Sequence, residues 1–332
     1  MPGAFAFGCA GPRLLPTERA FFRESDPWGF ILFGRNCLSP AQLRRLTDEL
    51  RDAVGRDVPV MIDQEGGRVQ RMGPPSWDPY LPALDQMRAA GDRWPEAMVL
   101  RSRLIADELI AGGVDVNCTP LADLVEPQTH PVLLNRLYGA EPDLVVAAAR
   151  AVVEGQLMQG VLPVLKHVPG YGRAAPDPHL GLARLTQPLT ELEARDFAPF
   201  RALADLRMAM TAHIVIEALD PDRPATTSPA AIRYIREAMG LGGLLMTDDI
   251  AMGALSGTVA ERSVAALAAG CDLVLHCNGT LREMEAVAAL GPLSDAGAGR
   301  AERALAQRRA SEPFDRAAAK ARLAELIGPA AA

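Results

Sequence analysis

The sequence predicts an α/β protein, a single-domain (β/α)8 barrel of the TIM type spanning 1–332. Three observations predict it. Short apolar runs recur about eight times, the number of strands such a barrel needs. Each run is apolar at nearly consecutive positions, as parallel strands covered on both faces require. Longer helical stretches separate the runs, which is the alternation of βαβ units. Hydrophobic residues make up 49% of the 332 and charged residues 23%, so one large core is within reach.

In chain order the runs are AFAFGC at 4–9, GFILF at 29–33, VPVMID at 58–63, VDVNC at 114–118, LPVLKH at 162–167, MAMTAHI at 208–214, LLMTD at 244–248 and DLVLHC at 272–277. Helices are predicted over 40–54, 94–111, 141–159, 191–206, 229–239 and 259–269. Ser39 before Pro40 and Ser228 before Pro229 pair a capping hydroxyl with a first-turn proline. Thr190 and Glu193 have the spacing of a capping box. Gly112, Gly113, Gly160, Gly240 and Gly270 stand where helices should stop. From Leu290 onward the chain is rich in alanine, and helices over 301–309 and 316–327 are expected on the outside of the barrel. Three long segments rich in Gly and Pro, 64–92, 119–140 and 168–190, follow strands and so fall on the carboxyl-end face, where barrel active sites sit.

Composition excludes several classes. The net charge is -7 and the basic residues are scattered, against a nucleic-acid partner or a polybasic membrane patch. The start, MPGAFAFGCAGPRLL, lacks a basic n-region and is interrupted at Gly11-Pro12, so no signal peptide is expected. No apolar run approaches the roughly 20 residues that span a bilayer. A cytoplasmic protein follows, with a monomer the simplest expectation. The five cysteines, Cys9, Cys37, Cys118, Cys271 and Cys277, are odd in number and form no C-x-x-C, so reduced and mostly buried thiols are expected. His130, His167, His179, His213 and His276 show no H-E-x-x-H spacing, and no G-x-G-x-x-G follows a strand. No metal and no cofactor are therefore expected, and His213 and His276 read as satisfied strand-end histidines.

Polar residues end the apolar strands: Asp63, Lys166 and His167, Asp248 and Asp249, with His213 and His276 near two further ends. An unpaired buried charge costs several kcal/mol, so charges converging on one rim of a barrel point to an active site rather than to packing.

The segments IDQEGGRVQR (62–71), NRLYG (135–139), KHVPGYG (166–172), DPH (177–179) and TDDIAM (247–252) together resemble the signature set of family 3 glycoside hydrolases. Within that family they resemble the bacterial cytosolic β-N-acetylglucosaminidases, from about Phe7 to Leu275. The resemblance implies a retaining exo-β-N-acetylhexosaminidase that releases terminal N-acetylglucosamine through a covalent glycosyl-enzyme, with cell-wall muropeptides as substrate. It places the nucleophile at Asp248, the acid/base at His179 and the group that orients His179 at Asp177. It places the grip on the sugar at Asp63, Arg71, Arg136, Lys166 and His167, with Glu65, Gly66 and Gly67 in the turn over it. The chemistry suits these roles. A carboxylate can attack the anomeric carbon, and an imidazole titrating near about pH 6.5 can give and take a proton at neutral pH. Asp249 is the rival nucleophile, one residue along and pointing to the other face.

Three positions depart from the family pattern: Val168 for Phe, Tyr171 for His and Pro178 for Ser. Pro178 biases Asp177 toward an extended conformation. The same resemblance leaves open a phosphorylase, because a His acid/base does not repel phosphate, and a β-glucosidase. A sugar-binding protein without catalysis is the alternative from another class.

Overall fold

A computed structural model describes residues 1–174 and 182–328. Its main sheet is all parallel and contains the eight strands expected: β1 (Gly3–Phe7), β2 (Pro27–Leu32), β3 (Val60–Ile62), β4 (Val116–Asn117), β5 in two pieces (Leu162–Pro163 and Leu165–Val168), β6 (Met208–Thr211), β7 (Leu244–Asp249) and β8 (Leu273–His276). The order round the sheet runs from the first piece of β5 through β4, β3, β2, β1, β8, β7 and β6 to the second piece of β5. The two ends of the sheet thus meet within one strand, which makes it a (β/α)8 barrel.

The uniform apolarity of the runs follows from this closure. Alternate residues face opposite ways. Ala6, Met61, Met210, Met246 and Leu275 pack into one buried cluster inside the barrel. Their neighbours Phe5, Val60, Ala209, Leu245 and Val274 pack into another, beneath the helices. The break in β5 was not expected. The Val164 N–H turns to the carbonyls of Asn117 and Thr119 (3.1 and 2.9 Å), so the strand leaves β4 before it joins β6.

The helices are α1 (Pro16–Ser25), α2 (Pro40–Val54), α3 (Ala83–Ala90), α4 (Trp94–Ala111), α5 (Pro142–Met158), α6 (Pro229–Glu237), α7 (Val259–Ala269), α8 (Leu281–Ala288), α9 (Asp295–Leu305) and α10 (Arg316–Ile327). Ser39 and Ser228 cap α2 and α6 by accepting from the Gln42 and Ala231 amides. The stretch 191–206 departs from expectation. It forms two short helices, Leu189–Ala194 and Ala198–Ala202. Between them Arg195 binds Glu126 (2.6 Å) and Asp196 binds Arg173 (2.8 Å), tertiary contacts that draw the chain out of one continuous helix. The Thr190–Glu193 capping box is absent. Pro188 occupies the N-cap, and Glu193 instead accepts from the Tyr234 hydroxyl at 2.6 Å.

The two terminal helices differ in place. α10 packs on α3 and α4 at the outer wall. α9 lies under the amino ends of the strands, where Ala301 and Ala304 join the interior cluster and Arg300 binds Asp272, the residue before β8 (2.8 Å). Among the described residues no helix is long and apolar enough to cross a membrane.

Candidate active site

The carboxyl ends of the strands open into a cavity of about 370 Å3. Asp63 reaches it from the end of β3, Lys166 and His167 from β5, His213 from just beyond β6, and Asp248 and Asp249 from β7. Arg71 and Arg136 reach it from the loops after β3 and β4. Of the residues singled out in the sequence, Asp63, Arg71, Arg136, Lys166, His167 and Asp248 line this one cavity. Asp177 and His179 lie outside the described residues.

The cations and carboxylates on one side form a network. Lys166, 2% exposed, places Nζ 2.8 Å from Asp63 Oδ1 and 2.7 Å from Glu65 Oε1. Arg136 grips both oxygens of Glu65, from Nε and Nη2, at 2.8 Å each, the two-pronged geometry that makes such pairs strong. Arg71 Nη2 stands 3.4 Å from the second oxygen of Asp63. Burial alone would raise both carboxyls. For Glu65 the attraction of Arg136 and Lys166 overcomes it, and for Asp63 that of Lys166 and Arg71, so both are held below the usual carboxylate range. Burial would likewise lower Lys166, yet Asp63 and Glu65 push its ammonium above the ordinary lysine value. Lys166 is thus a fixed cation at neutral pH. Asp63 retains acceptor capacity toward the cavity, because a carboxylate offers about four lone-pair sites.

Glu65 is the residue that sequence reasoning undervalued. It was assigned to a turn, but it is 5% exposed and holds the two cations in register. Asp123 was missed entirely. It is 1% exposed. It accepts from His167 Nδ1 at 2.8 Å, from the His167 amide at 3.2 Å and from the Tyr171 amide at 2.6 Å, so it fixes the ring beside the cavity. Its signal was only an acidic residue in a long loop after a strand.

On the other side stand the two aspartates of β7. Asp248 Oδ1 accepts from the Asp249 amide at 2.7 Å. The Asp249 carboxylate accepts from the Ala251 and Cys277 amides, each at 3.1 Å, and from Asn278 Nδ2 at 3.4 Å. Burial raises the Asp249 carboxyl above its ordinary value. The Asp249 carboxylate is thus occupied by two backbone amides and the Asn278 side chain.

All five cysteines are free, and Cys37 alone is half-buried. Burial pushes the Cys9 and Cys37 thiols up to about 12, so they are not nucleophiles at neutral pH. Among the described residues no cluster of His, Cys, Asp and Glu could hold a metal ion. Both ring nitrogens of His213 are bonded, as expected, but His276 is not satisfied. It is fully buried, and neither ring nitrogen has a partner among the described residues. Burial accordingly keeps it below the ordinary histidine pKa.

A sugar-sized cavity with a buried cation–carboxylate cradle, facing a strand-end carboxylate on a barrel rim, defines a glycosidase. The chain belongs to glycosyl hydrolase family 3: residues 18–305 match the model of its N-terminal domain. The beta-hexosaminidase of Alkalilimnicola ehrlichii is 39% identical over 285 residues, 83% of this chain and 81% of the relative. That of Methylococcus capsulatus is 39% identical over 277 residues, 82% of each. Among solved structures, NagZ from Neisseria gonorrhoeae in complex with N-trifluoroacetyl-D-glucosamine superposes with a TM-score of 0.87 at 28% identity, covering 98% of both chains. The protein is a glycoside hydrolase.

Proposed function

We propose that this protein is a retaining exo-β-N-acetylhexosaminidase of the cytoplasm that releases terminal N-acetylglucosamine from cell-wall muropeptides. The observation that carries the reading is the cradle: Asp63, Lys166, Glu65 and Arg136 locked together on one side of a cavity whose other side presents Asp248. Relatives at 39% identity named beta-hexosaminidase, and a similar structure with an N-acylated glucosamine bound, support the choice of sugar.

In this reading Asp63, Arg71, Arg136, Lys166 and His167 hold the terminal sugar by its hydroxyl and acyl groups. Asp248 attacks the anomeric carbon, and the bond to the aglycone oxygen breaks as His179 protonates that oxygen. The resulting ester of Asp248 is then hydrolysed. His179, now neutral, takes a proton from water; the water oxygen bonds to the anomeric carbon and Asp248 leaves as carboxylate. Two inversions give net retention. Asp177 holds the imidazole in the required tautomer, as a buried carboxylate does in hydrolytic triads.

The test is turnover of 4-nitrophenyl β-N-acetylglucosaminide beside the β-glucoside, each with and without phosphate. Turnover of the N-acetyl sugar alone, indifferent to phosphate, is the expected result. A sugar 1-phosphate that appears only with phosphate overturns the hydrolase reading in favour of a phosphorylase, and silence on both sugars from folded protein overturns catalysis.

A further inference from the structure

The geometry points to His213 as a positioning residue for the nucleophile: with Thr226 behind it, His213 anchors Asp249, whose amide orients the attacking carboxylate of Asp248. The inference rests on Asp248 being that nucleophile.

Asp249 is held at three points. Its amide donates to Asp248 Oδ1 at 2.7 Å. Its carboxylate is tied to the β8 side by the Cys277 amide and Asn278. Its carbonyl is 3.0 Å from Nε2 of His213, on the β6 side. The residue next to the nucleophile is thus clamped from both neighbouring strands. With one Asp248 oxygen occupied by the clamped amide, the other is left for the anomeric carbon.

The clamp requires one tautomer. A carbonyl only accepts, so Nε2 must carry the ring proton. His213 is 2% exposed, and burial holds it below its ordinary pKa, so the ring is neutral and Nδ1 is an acceptor. Thr226 Oγ1 lies 2.8 Å from Nδ1 and is fully buried. The same hydroxyl lies 3.1 Å from the Ala212 carbonyl, so its one hydrogen is shared between that carbonyl and Nδ1, the nearer acceptor, while the Thr211 hydroxyl, 2.8 Å away, donates to Thr226. Two buried hydroxyls thus stand in line behind a neutral imidazole. Without the Thr226 hydrogen, the other tautomer would turn an Nε2 lone pair onto the Asp249 carbonyl.

The experiment compares His213→Leu, Thr226→Val and Thr226→Ser on two aryl β-N-acetylglucosaminides, one with an activated dinitrophenyl leaving group and one with a poor leaving group. Misplacing an attacking group costs up to about 100-fold. His213→Leu should therefore lower kcat by about 10- to 100-fold on both substrates, with KM nearly unchanged. A residue that served protonation would spare the activated substrate. Thr226→Val should show the same pattern more weakly, and Thr226→Ser should restore the wild-type rate. Wild-type kcat in His213→Leu, a loss confined to the poor leaving group, or equal rates in Thr226→Val and Thr226→Ser would each overturn the proposal. If His213→Leu does not fold, the Thr226 pair decides. Asp248→Gly with azide separates the underlying reading: an α-glycosyl azide identifies Asp248 as nucleophile whatever His213 does. Its absence would remove that assignment, and this role of His213 with it.

Discussion

Lys166 lies between two carboxylates, and it is the residue on which the buried cradle of charges depends. Removing one member of a buried ion pair leaves its partner uncompensated, which costs about 3–5 kcal/mol. Lys166→Met should therefore lower stability by about that amount and also lose most of kcat/KM, as read by urea unfolding and steady-state kinetics. A variant with wild-type stability would show that Arg71 and Arg136 suffice. The same network sets a pH dependence. Asp63 and Glu65 are depressed in the folded state. Their contribution is full above the ordinary carboxyl value of about 4 and is lost as pH falls below it toward the folded value. The stability gap between wild type and Glu65→Gln should thus be widest at neutral pH and close in acid. A constant gap from pH 7 to pH 3 would count against the depressed carboxyl. Asp63, Lys166, His167 and Asp248 were legible in the sequence because a charge at the end of an apolar strand has few explanations. Glu65 and Asp123 were not, because their roles depend on which cations and amides fold against them.

At the scale of elements, legibility followed local chemistry. The limits of α2, α4, α7 and α10 agree with the sequence reading, since prolines, capping hydroxyls and glycines act within a turn or two. The break in β5 and the split between Ala194 and Ala198 were illegible, because each is imposed by distant partners. The loop that carries Glu65 makes a sharper prediction. Gly66 has φ +91°, and a Cβ there would lie 2.1 Å from Arg101 Nη2. That guanidinium, rooted in α4, holds the carbonyls of Glu65 and Leu81. Gly66→Ala should strain the backbone by at least about 1 kcal/mol and shift Glu65, lowering kcat/KM as well as the melting temperature. Ser39→Ala, at the cap of α2 and away from the cavity, should cost about 1 kcal/mol with unchanged kinetics. Equal kinetic effects of the two variants would show that the Gly66 loop does not position the cradle.

Across the whole molecule, chemistry and stability occupy different places, as barrels permit. The cavity takes the carboxyl ends of the strands, α9 closes the amino ends, and α10 seals the wall over α3 and α4. Two buried leucines separate these regions. Leu326, on α10, is fully buried in the outer cluster. Leu275, on β8, is equally buried but belongs to the interior cluster and borders the cavity. Truncating either to alanine removes the same atoms and should cost about 2–5 kcal/mol, the spread set by how far each site collapses. Leu326→Ala should leave kcat and KM at their wild-type values wherever the protein is folded. Leu275→Ala should lose stability and also activity, because its void opens beneath the Asp248–Asp249 clamp, where Ile250 donates to the Leu275 carbonyl at 2.8 Å. Paired unfolding curves and kinetics at one temperature measure both. If Leu326→Ala altered kcat as much as Leu275→Ala, the outer wall would be coupled to the chemistry, with α4 and its Arg101 as the connection to the Glu65 loop.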